Sequence, residues 1–292
     1  MNRINLFASI LVVFLFSSCS DNKNNSYLSV GITDAPVDNA VNINVQFDSI
    51  EFKPSNGSAI LVELDTVRTI DLMALSGSNF ELLVDNLEVQ AGEYQWMRLG
   101  VNAERGVMDS SINLIGGETF SLYIPSGSQS GLKINKGFVV PVGGAVSLMV
   151  DFDLRQSVTN PVGLVDDYIL RPTLRMTDNS QTGTIQGSVS ASAVSGESCN
   201  EGKAIYLYSG ADVTADDLGS DTPPLTTTMV NYNADTDRWD FEIGFVEAGD
   251  YTIALTCDAD IDVLETDEAS WGVIASMNTL VVSGETVQVD FD

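Results

Sequence analysis

The stretch VNINVQF at residues 41–47 alternates apolar and polar side chains without a break. Successive side chains of a β-strand point to opposite faces, so this pattern is typical of a strand with one buried face. Similar runs recur between turn residues along the whole chain. They lie at 27–32, 59–64, 94–101, 119–124, 145–152, 168–176, 184–189, 204–208, 225–232, 239–245, 251–256, 279–282 and 286–291. The sequence therefore predicts an all-β protein built of antiparallel β-sandwiches.

A polar stretch, TDNSQT at residues 177–182, interrupts this series of strands. The chain has 292 residues, which is enough for two domains. We therefore expect two consecutive antiparallel β-sandwich domains, one over residues 27–180 and an acidic one over residues 183–292. Only the segment FELLVDNLEV at residues 80–89 suggests a short helix instead.

Two short patterns occur twice in the chain. AGEY at residues 91–94 recurs as AGDY at 248–251, and VDFD at 150–153 recurs at 289–292. In the first pattern the Gly suits a turn with positive φ, and the Tyr opens a strand and caps a corner of the sandwich. In the second pattern Val and Phe face the core and the two Asp face outward. The repeats favour two domains that are built alike.

The N-terminus has the features of an export signal. Arg3 precedes a largely apolar run of 11 residues at 6–16 (LFASILVVFLF). A membrane-spanning helix needs about 20 residues, so this run is typical of a signal peptide. Ser17, Ser18 and Cys19 follow it and resemble the lipobox of bacterial lipoproteins, in which the cysteine receives acyl chains.

This resemblance implies a signal peptide over residues 1–18, a lipidated Cys19 and a polar tether over residues 19–26. Two or three acyl chains would hold the protein on a membrane with negligible release. Ser20 directly after the cysteine implies sorting to the outer membrane, facing either the periplasm or the cell surface. The alternative is an ordinary signal peptide followed by a chance cysteine.

Two cysteines remain after Cys19 is assigned to lipid, namely Cys199 and Cys257. In the oxidising cell envelope an even remainder most simply forms a disulfide. Two free thiols are the alternative.

The charge and composition exclude several functions. Acidic residues number 41 and basic residues 13, which gives a formal net charge of −28 at pH 7. Such a chain does not bind nucleic acid through its phosphates. The absence of His excludes Ser-His-Asp and Cys-His catalysis and His-ligated zinc. Glycoside hydrolysis stays open, because it needs only two carboxylates.

Two acidic loops are candidates for calcium, which prefers carboxylate and amide oxygens. The first follows Cys257 directly, and its candidate ligands are Asp258, Asp260 and Asp262. It is not an EF-hand, because Val263 and Ala269 occupy the positions where that loop needs Gly and Glu. The second lies before Trp239 and comprises Asn231, Asn233, Asp235 and Asp237. Solvated loops without metal are the alternative for both, and no other metal or cofactor is predicted.

Three tryptophans, Trp96, Trp239 and Trp271, are candidates for a platform on which a sugar ring stacks. Tryptophans of β-sandwiches more commonly occupy the core or a corner, which is the alternative.

Several segments in order resemble the domain-of-unknown-function 4382 family of bacterial envelope proteins, over about residues 27–177. They are LSVGITDAP at 28–36, IDL at 70–72, AGEY at 91–94, PSG at 125–127, SGLK at 130–133, VDFD at 150–153 and YILRP at 168–172. Ile32 departs from the family, which often has Leu there. No activity is established for this family, so the resemblance implies none. We expect structural roles for Thr33, Asp34 and Pro36, with Asp34 in an Asx-turn and Pro36 ending the strand.

Residues 183–292 resemble carboxypeptidase-regulatory or transthyretin-like β-sandwich domains, which belong to the carbohydrate-binding-like folds. The segments that carry this resemblance are GSV at 187–189, AIYLY at 204–208, AGDYT at 248–252 and GETV at 284–287. The fold name suggests sugar binding, although a fold does not by itself imply a function.

These observations together favour a lipid-anchored outer-membrane protein that acts as a non-enzymatic binding or interaction module, with carbohydrate as one ligand class. One alternative is a structural or assembly lipoprotein with a protein partner in the envelope. A carboxylate-dependent glycoside hydrolase is a further alternative.

Overall fold

The computed structural model describes residues 25–35, 40–125, 131–159, 167–196, 199 and 202–292. Strands account for most of these residues, so the predicted all-β class is confirmed. The described strands form four sheets, two on each side of residue 180. We call residues 25–178 the first unit and residues 182–292 the second unit. That each folds as an independent domain stays a prediction.

The first unit contains thirteen described strands. They are β1 (Ser26–Ala35), β2 (Ala40–Pro54), β3 (Ile60–Asp71), β4 (Glu81–Val89), β5 (Gly92–Asn102), β6 (Ser111–Leu114), β7 (Thr119–Tyr123), β8 (Leu132–Ile134), β9 (Phe138–Val140), β10 (Ala145–Asp153), β11 (Val158–Thr159), β12 (Tyr168–Leu170) and β13 (Thr173–Asp178). One sheet has the order β13-β10-β1-β4, and the other runs β11-β12-β7-β6-β2-β5-β8, with β3 beside β2 and β9 beside β5.

The second unit contains eight described strands. They are β14 (Thr182–Ser190), β15 (Ala204–Ser209), β16 (Thr226–Met229), β17 (Asn231–Asn233), β18 (Arg238–Glu247), β19 (Gly249–Thr256), β20 (Val273–Val281) and β21 (Thr286–Phe291). Its sheets have the orders β17-β18-β14-β21 and β16-β15-β19-β20. Helical structure among the described residues consists of 3-10 turns at Leu72–Leu75 and Asn179–Gln181, one 3-10 residue at Cys199 and one helix, α1 (Leu154–Ser157).

Strand β2 shows how the pattern sets the core. In the first half of the strand the buried side chains are at odd-numbered positions, such as Ile43 and Phe47. In the second half they are at even-numbered positions, Ile50 and Phe52. The pairing of β2 with β3 and with β5 shifts between Phe47 and Ser49, which is a β-bulge. The extra residue restores the apolar face to the core, so both halves of this long strand pack inward.

The two repeated patterns occupy equivalent places in the two units. The hydroxyl of Tyr94 donates to the carbonyl of Gln90, and that of Tyr251 donates to the carbonyl of Glu247, each at 2.8 Å. The VDFD strands β10 and β21 each pair in parallel with the first strand of their unit, β1 and β14. A third described parallel pair joins β7 and β12. The sheets are therefore antiparallel-rich and mixed.

The helix suggested for residues 80–89 is wrong. Residues 81–89 form β4, which pairs antiparallel with β1 at the edge of its sheet and buries Leu83. The pairing shifts twice, and Asn86 has a left-handed φ of 51° close by. Bulges at an edge strand blur the period-2 pattern, so backbone pairing with β1 decided the structure where local sequence did not.

Each unit has its own apolar core between its two sheets. A smaller cluster covers the outer face of the β16-β15-β19-β20 sheet and includes Tyr206, Tyr208 and Ala259. No helix among the described residues has the length and apolar character needed to cross a membrane.

Candidate functional site

The disulfide predicted between Cys199 and Cys257 is present, with the two Cα atoms 4.9 Å apart. Both cysteines are buried in the core of the second unit. Cys257 directly follows β19, so the bond fixes the start of the segment 257–272 that crosses the outer face of the sheet. Cys19 and the signal peptide lie outside the described residues, and β1 already begins at Ser26, the last residue assigned to the tether.

The family segment at the end of β1 lies at the junction between the two units. The Thr33 hydroxyl is within hydrogen-bond distance of the carbonyl oxygens of Leu75 (3.0 Å) and Asn79 (2.8 Å), and therefore holds the 3-10 turn against β1. Asp34 is buried beside it. An Asx-turn at Asp34 stays a prediction, and Pro36 lies outside the described residues.

A cavity of about 20 Å³ at this junction is lined by both units, with Asp34, Asp151 and Arg175 on one side and Thr227 on the other. Asp151 is paired with Arg175 at 2.7 Å. The Asp residues of VDFD were predicted to face outward, and Asp290 and Asp292 are exposed. Asp151 and Asp153, in contrast, are only 7% and 4% exposed. Their strand face points away from the first core, but the second unit covers it.

Asp153 caps helix α1. Its two oxygens accept hydrogen bonds from the Gln156 backbone N–H (3.1 Å) and side-chain amide (2.8 Å). Burial, with a further contribution from the charge of Asp151, raises the pKa of Asp153 to about 7. This carboxyl therefore changes charge near neutral pH rather than in acid.

Further contacts join the units around the cavity. Phe245 lies in a bulge of β18 with a left-handed φ of 53°, and its ring packs edge-on against Phe80 at 5.8 Å. Glu242 accepts a hydrogen bond from the Ser78 backbone N–H at 2.7 Å. These contacts link the 3-10 turn region of the first unit to β18 of the second.

The three tryptophans lie in separate places and form no common platform. Trp96 is on β5, where Arg98 and Lys133 lie 5.0 and 4.7 Å from its ring centre. Trp239 packs against Tyr232 at 5.2 Å, and Trp271 packs against the buried Tyr206 at 5.3 Å. Each ring is partly buried by its neighbours, which fits the structural alternative.

The three candidate ligands of the first predicted calcium loop lie in different surroundings. Asp258 accepts a hydrogen bond from the Gly272 backbone N–H at 3.0 Å, Asp260 is exposed, and Asp262 is buried. Among the described residues, Asp262 is grouped with Asp217 and Glu268, while Asp258 and Asp260 belong to no such carboxylate group. Calcium at Asp258, Asp260 and Asp262 stays a prediction. Asp217 was not foreseen, because it lies on a distant segment of the sequence.

The second predicted loop forms the hairpin turn between β17 and β18. The side-chain oxygen of Asn233 accepts from the Asp235 backbone N–H at 3.0 Å, and Asp237 has a left-handed φ of 54°. The Tyr232 hydroxyl donates to Asp237 at 2.8 Å. These short-range bonds are the ones that Asn and Asp commonly make in turns, so the residues have a local structural role here.

A polar cleft lies on the outer face of the β17-β18-β14-β21 sheet and has a volume of about 510 Å³. Its polar lining alternates with the buried side chains of the same strands and consists of Gln186, Ser188, Asn231, Asp240, Glu242 and Gln288. The Gln186 amide donates to Glu242, and the amide of nearby Asn233 donates to Asp240 at 2.6 Å. Sequence reasoning missed this cleft, because its residues come from four strands and share no motif.

Hydrogen bonds set the charge state of Glu242 in the cleft. Burial acts to raise the pKa of Glu242, but hydrogen bonds from Ser78 and Gln186 outweigh it and lower this pKa. Glu242 therefore stays ionised at neutral pH. It accepts hydrogen bonds and does not resemble the protonated carboxyl that a glycosidase uses as general acid.

The geometry defines an all-β protein with two cores and a polar cleft on its second unit. Residues 25–172, about half of the chain, match the family described as Domain of unknown function (DUF4382). The chain belongs to this family, in agreement with the resemblance of its segments. A comparison with curated proteins finds no match.

Several solved structures are similar to the chain at low identity. The Bacillus anthracis TIE protein is 11% identical, with 91% of this chain and 33% of that chain covered and a TM-score of 0.20. The chain thus spans about a third of that protein. A minor pilin of Streptococcus agalactiae is 9% identical (90% and 94% covered, TM-score 0.20), and a fimbrial protein from Bacteroides ovatus is 10% identical (92% and 49% covered, TM-score 0.21). Scores this low carry no conclusion about the fold or function of this chain.

Proposed function

We propose that this protein is a lipid-anchored outer-membrane module that binds carbohydrate without chemically changing it. The observation that carries the carbohydrate assignment is the composition of the polar cleft. Its lining supplies amides that both donate and accept hydrogen bonds, carboxylates that accept, and one hydroxyl. Adjacent sugar hydroxyls offer the same mixture of donors and acceptors, so they match this lining better than an apolar ligand does.

The anchor is supported by the sequence alone. The apolar run at 6–16 followed by Ser17, Ser18 and Cys19 has the order that lipidation requires, and Ser20 favours the outer membrane. With a net charge of −28 the protein is not attracted to anionic lipid electrostatically, so its attachment depends on the acyl chains. The lowered pKa of Glu242 argues against this residue as the general acid of a glycosidase.

The test is a glycan array that carries bacterial polysaccharides, probed with the purified full chain. We expect saturable binding that Gln288→Ala and Asn231→Ala each weaken by about tenfold, since each change leaves a bound hydroxyl without its partner. The matched control is Gln95→Ala, an exposed glutamine on β5 of the first unit. A blank array, or equal loss of binding in the control, would overturn the carbohydrate assignment.

The anchor has a separate test. Metabolic labelling with a fatty acid should mark the wild-type protein in the membrane fraction, and Cys19→Ala should lose both the label and the membrane association. Unchanged fractionation of that variant would refute lipid anchoring while leaving the sugar site untouched.

A protein partner is the second candidate, and strand β20 favours it. This strand pairs with β19 on one side and forms the edge of its sheet among the described strands. Ile274 and Leu280 are 48% and 57% exposed along it. An extended segment of a partner protein would satisfy the free backbone groups and cover these side chains. Photo-cross-linking in cells from position 280, compared with position 142 on an exposed turn, should then capture one specific partner.

A further inference from the structure

Three carboxylates from distant parts of the second unit meet under its outer layer. Asp217 lies in the connection between β15 and β16, whereas Asp262 and Glu268 lie in the segment between β19 and β20. One carboxylate oxygen from each lies within 4.8 Å of the other two. Asp217 is completely buried and Asp262 is 8% exposed. We call these three residues the acidic centre.

The hydrogen bonds to the acidic centre do not satisfy all of its carboxylate oxygens. Asp262 accepts from the Tyr206 hydroxyl and from the Leu218 backbone N–H at 3.1 Å. One oxygen of Asp217 accepts from the Glu268 backbone N–H. The other oxygen of Asp217, Oδ1, is buried and meets no hydrogen-bond donor among the described residues. A buried oxygen of this kind is rare unless an ion, water or ligand completes it.

The guanidinium of Arg155 acts on Asp262 through its charge, without a direct ion pair between the two. None of the ion pairs within the described ranges includes a residue of the acidic centre. Two further acids, Asp216 and Asp267, form a second close group with Asp217. Asp217 and Asp262 are both buried, and buried like charges are unfavourable unless a counter-charge is bound.

We propose that the acidic centre is a calcium site, with Asp217, Asp262 and Glu268 as its protein ligands. All three offer hard oxygen atoms, which suit Ca²⁺ and Mg²⁺ and not a thiolate-preferring metal. The ligands sit on irregular segments rather than on a rigid frame. Ca²⁺ accepts irregular coordination by six to eight oxygens, whereas Mg²⁺ requires a near-ideal octahedron. Water and backbone carbonyls would complete the shell.

A cation here would join two segments that are otherwise far apart in sequence. It would fasten the connection that contains Asp217 to the segment 257–272, whose start the disulfide already fixes. Asp262 also accepts a hydrogen bond from the Tyr206 hydroxyl. That hydroxyl in turn accepts a hydrogen bond from Arg155 of the first unit at 3.2 Å. Calcium would thereby stiffen the outer layer of the second unit and its contact with α1. The site is independent of the polar cleft, because the two lie on different sheets.

The experiment is calcium titration of the purified full chain after treatment with a chelator, followed by calorimetry and by thermal unfolding. We expect one Ca²⁺ to bind with a dissociation constant at or below about 10⁻³ M, the weak limit of extracellular calcium modules. The melting temperature should rise with Ca²⁺ and much less with Mg²⁺ at equal concentration. Terbium luminescence, sensitised by the nearby Trp271, gives an independent readout of the same position.

Two variants and one control locate the ion. Asp217→Asn and Glu268→Gln should each weaken Ca²⁺ binding by about tenfold or more, because each removes a charged ligand. Asp260→Asn removes the same charge from an exposed position of the same loop and should leave binding unchanged. If Asp217→Asn does not fold, Glu268→Gln, which changes a half-buried side chain, carries the test. Absence of Ca²⁺ binding, or loss of binding in Asp260→Asn alone, would overturn the acidic centre as a calcium site.

Discussion

The guanidinium of Arg155 donates a hydrogen bond to the hydroxyl of Tyr206 at 3.2 Å, across the junction of the two units. The same guanidinium donates to the carbonyl of Ala259 at 2.9 Å. Arg155 lies on α1 of the first unit, whereas Tyr206 and Ala259 belong to the apolar cluster on the outer face of the second. One side chain therefore couples the end of the first unit to the layer that contains the acidic centre.

Replacing this guanidinium should loosen the second unit. We expect Arg155→Ala to lower the free energy of unfolding by about 1.5–3 kcal/mol, the range for hydrogen bonds to a charged group. The measurement is denaturant unfolding followed by the fluorescence of the tryptophans. Arg105→Ala is the control, because Arg105 forms an exposed ion pair with Asp167 and its loss should cost less than about 1 kcal/mol. Equal effects of the two changes would contradict the coupling.

Reducing the disulfide should destabilise the second unit more than the first. Cys199 and Cys257 are separated by 58 positions, for which constraint of the unfolded chain predicts a loss of about 2–4 kcal/mol. Denaturation of the double variant Cys199→Ser/Cys257→Ser, compared with the wild type with and without reductant, measures this loss. A wild-type midpoint that reductant does not change would show that the bond contributes nothing to stability.

Gly244 should not tolerate a side chain, because the units approach closely there. A Cβ at this position would lie 2.6 Å from the carbonyl oxygen of Gly77 in the first unit. We expect Gly244→Ala to cost about 1–3 kcal/mol by overpacking the junction. Gly249→Ala is the control, since its Cβ would lie at an ordinary 3.6 Å from the Tyr251 ring. Thermal unfolding should separate the two variants, and equal melting temperatures would contradict close packing at Gly244.

The raised pKa of Asp153 predicts a specific pH dependence. Its pKa is about 7 in the folded protein against an ordinary 3.8, so the folded state holds a proton that the unfolded state has released. Stability is therefore lost as the pH rises from about 4 to about 7 through this group, and the loss is complete above that range.

The variant Asp153→Asn tests this sign. It keeps an oxygen to cap α1 and removes the ionisation, so its stability relative to the wild type should increase steadily between about pH 4 and pH 7. Denaturant unfolding at several pH values measures the difference in unfolding free energy between the variant and the wild type. The contributions of the other carboxylates are the same in both proteins and cancel. A difference that does not change with pH would show that Asp153 has an ordinary pKa.

Local pattern was sufficient for several features. The strict alternation at 41–47 predicts a strand because a strand has a period of two, and β2 covers that stretch. The two Gly-x-Tyr turns predict corner tyrosines, and both hydroxyls bond the chain four residues earlier. The cysteine pairing followed from parity and compartment, without geometry. Each of these features depends on neighbouring residues or on residue type, and the sequence contains both.

Tertiary structure decided which residues meet. Alternation places Asp151 on the face away from its own core, but it cannot say whether water or another unit covers that face, and the second unit covers it. The acidic run after Cys257 predicted Asp258, Asp260 and Asp262 as one group, whereas the folded structure places Asp262 beside Asp217 from another loop. Residue types and periodicity are properties of the chain itself. Contact between distant loops depends on how whole sheets pack, and only the folded structure contains that information.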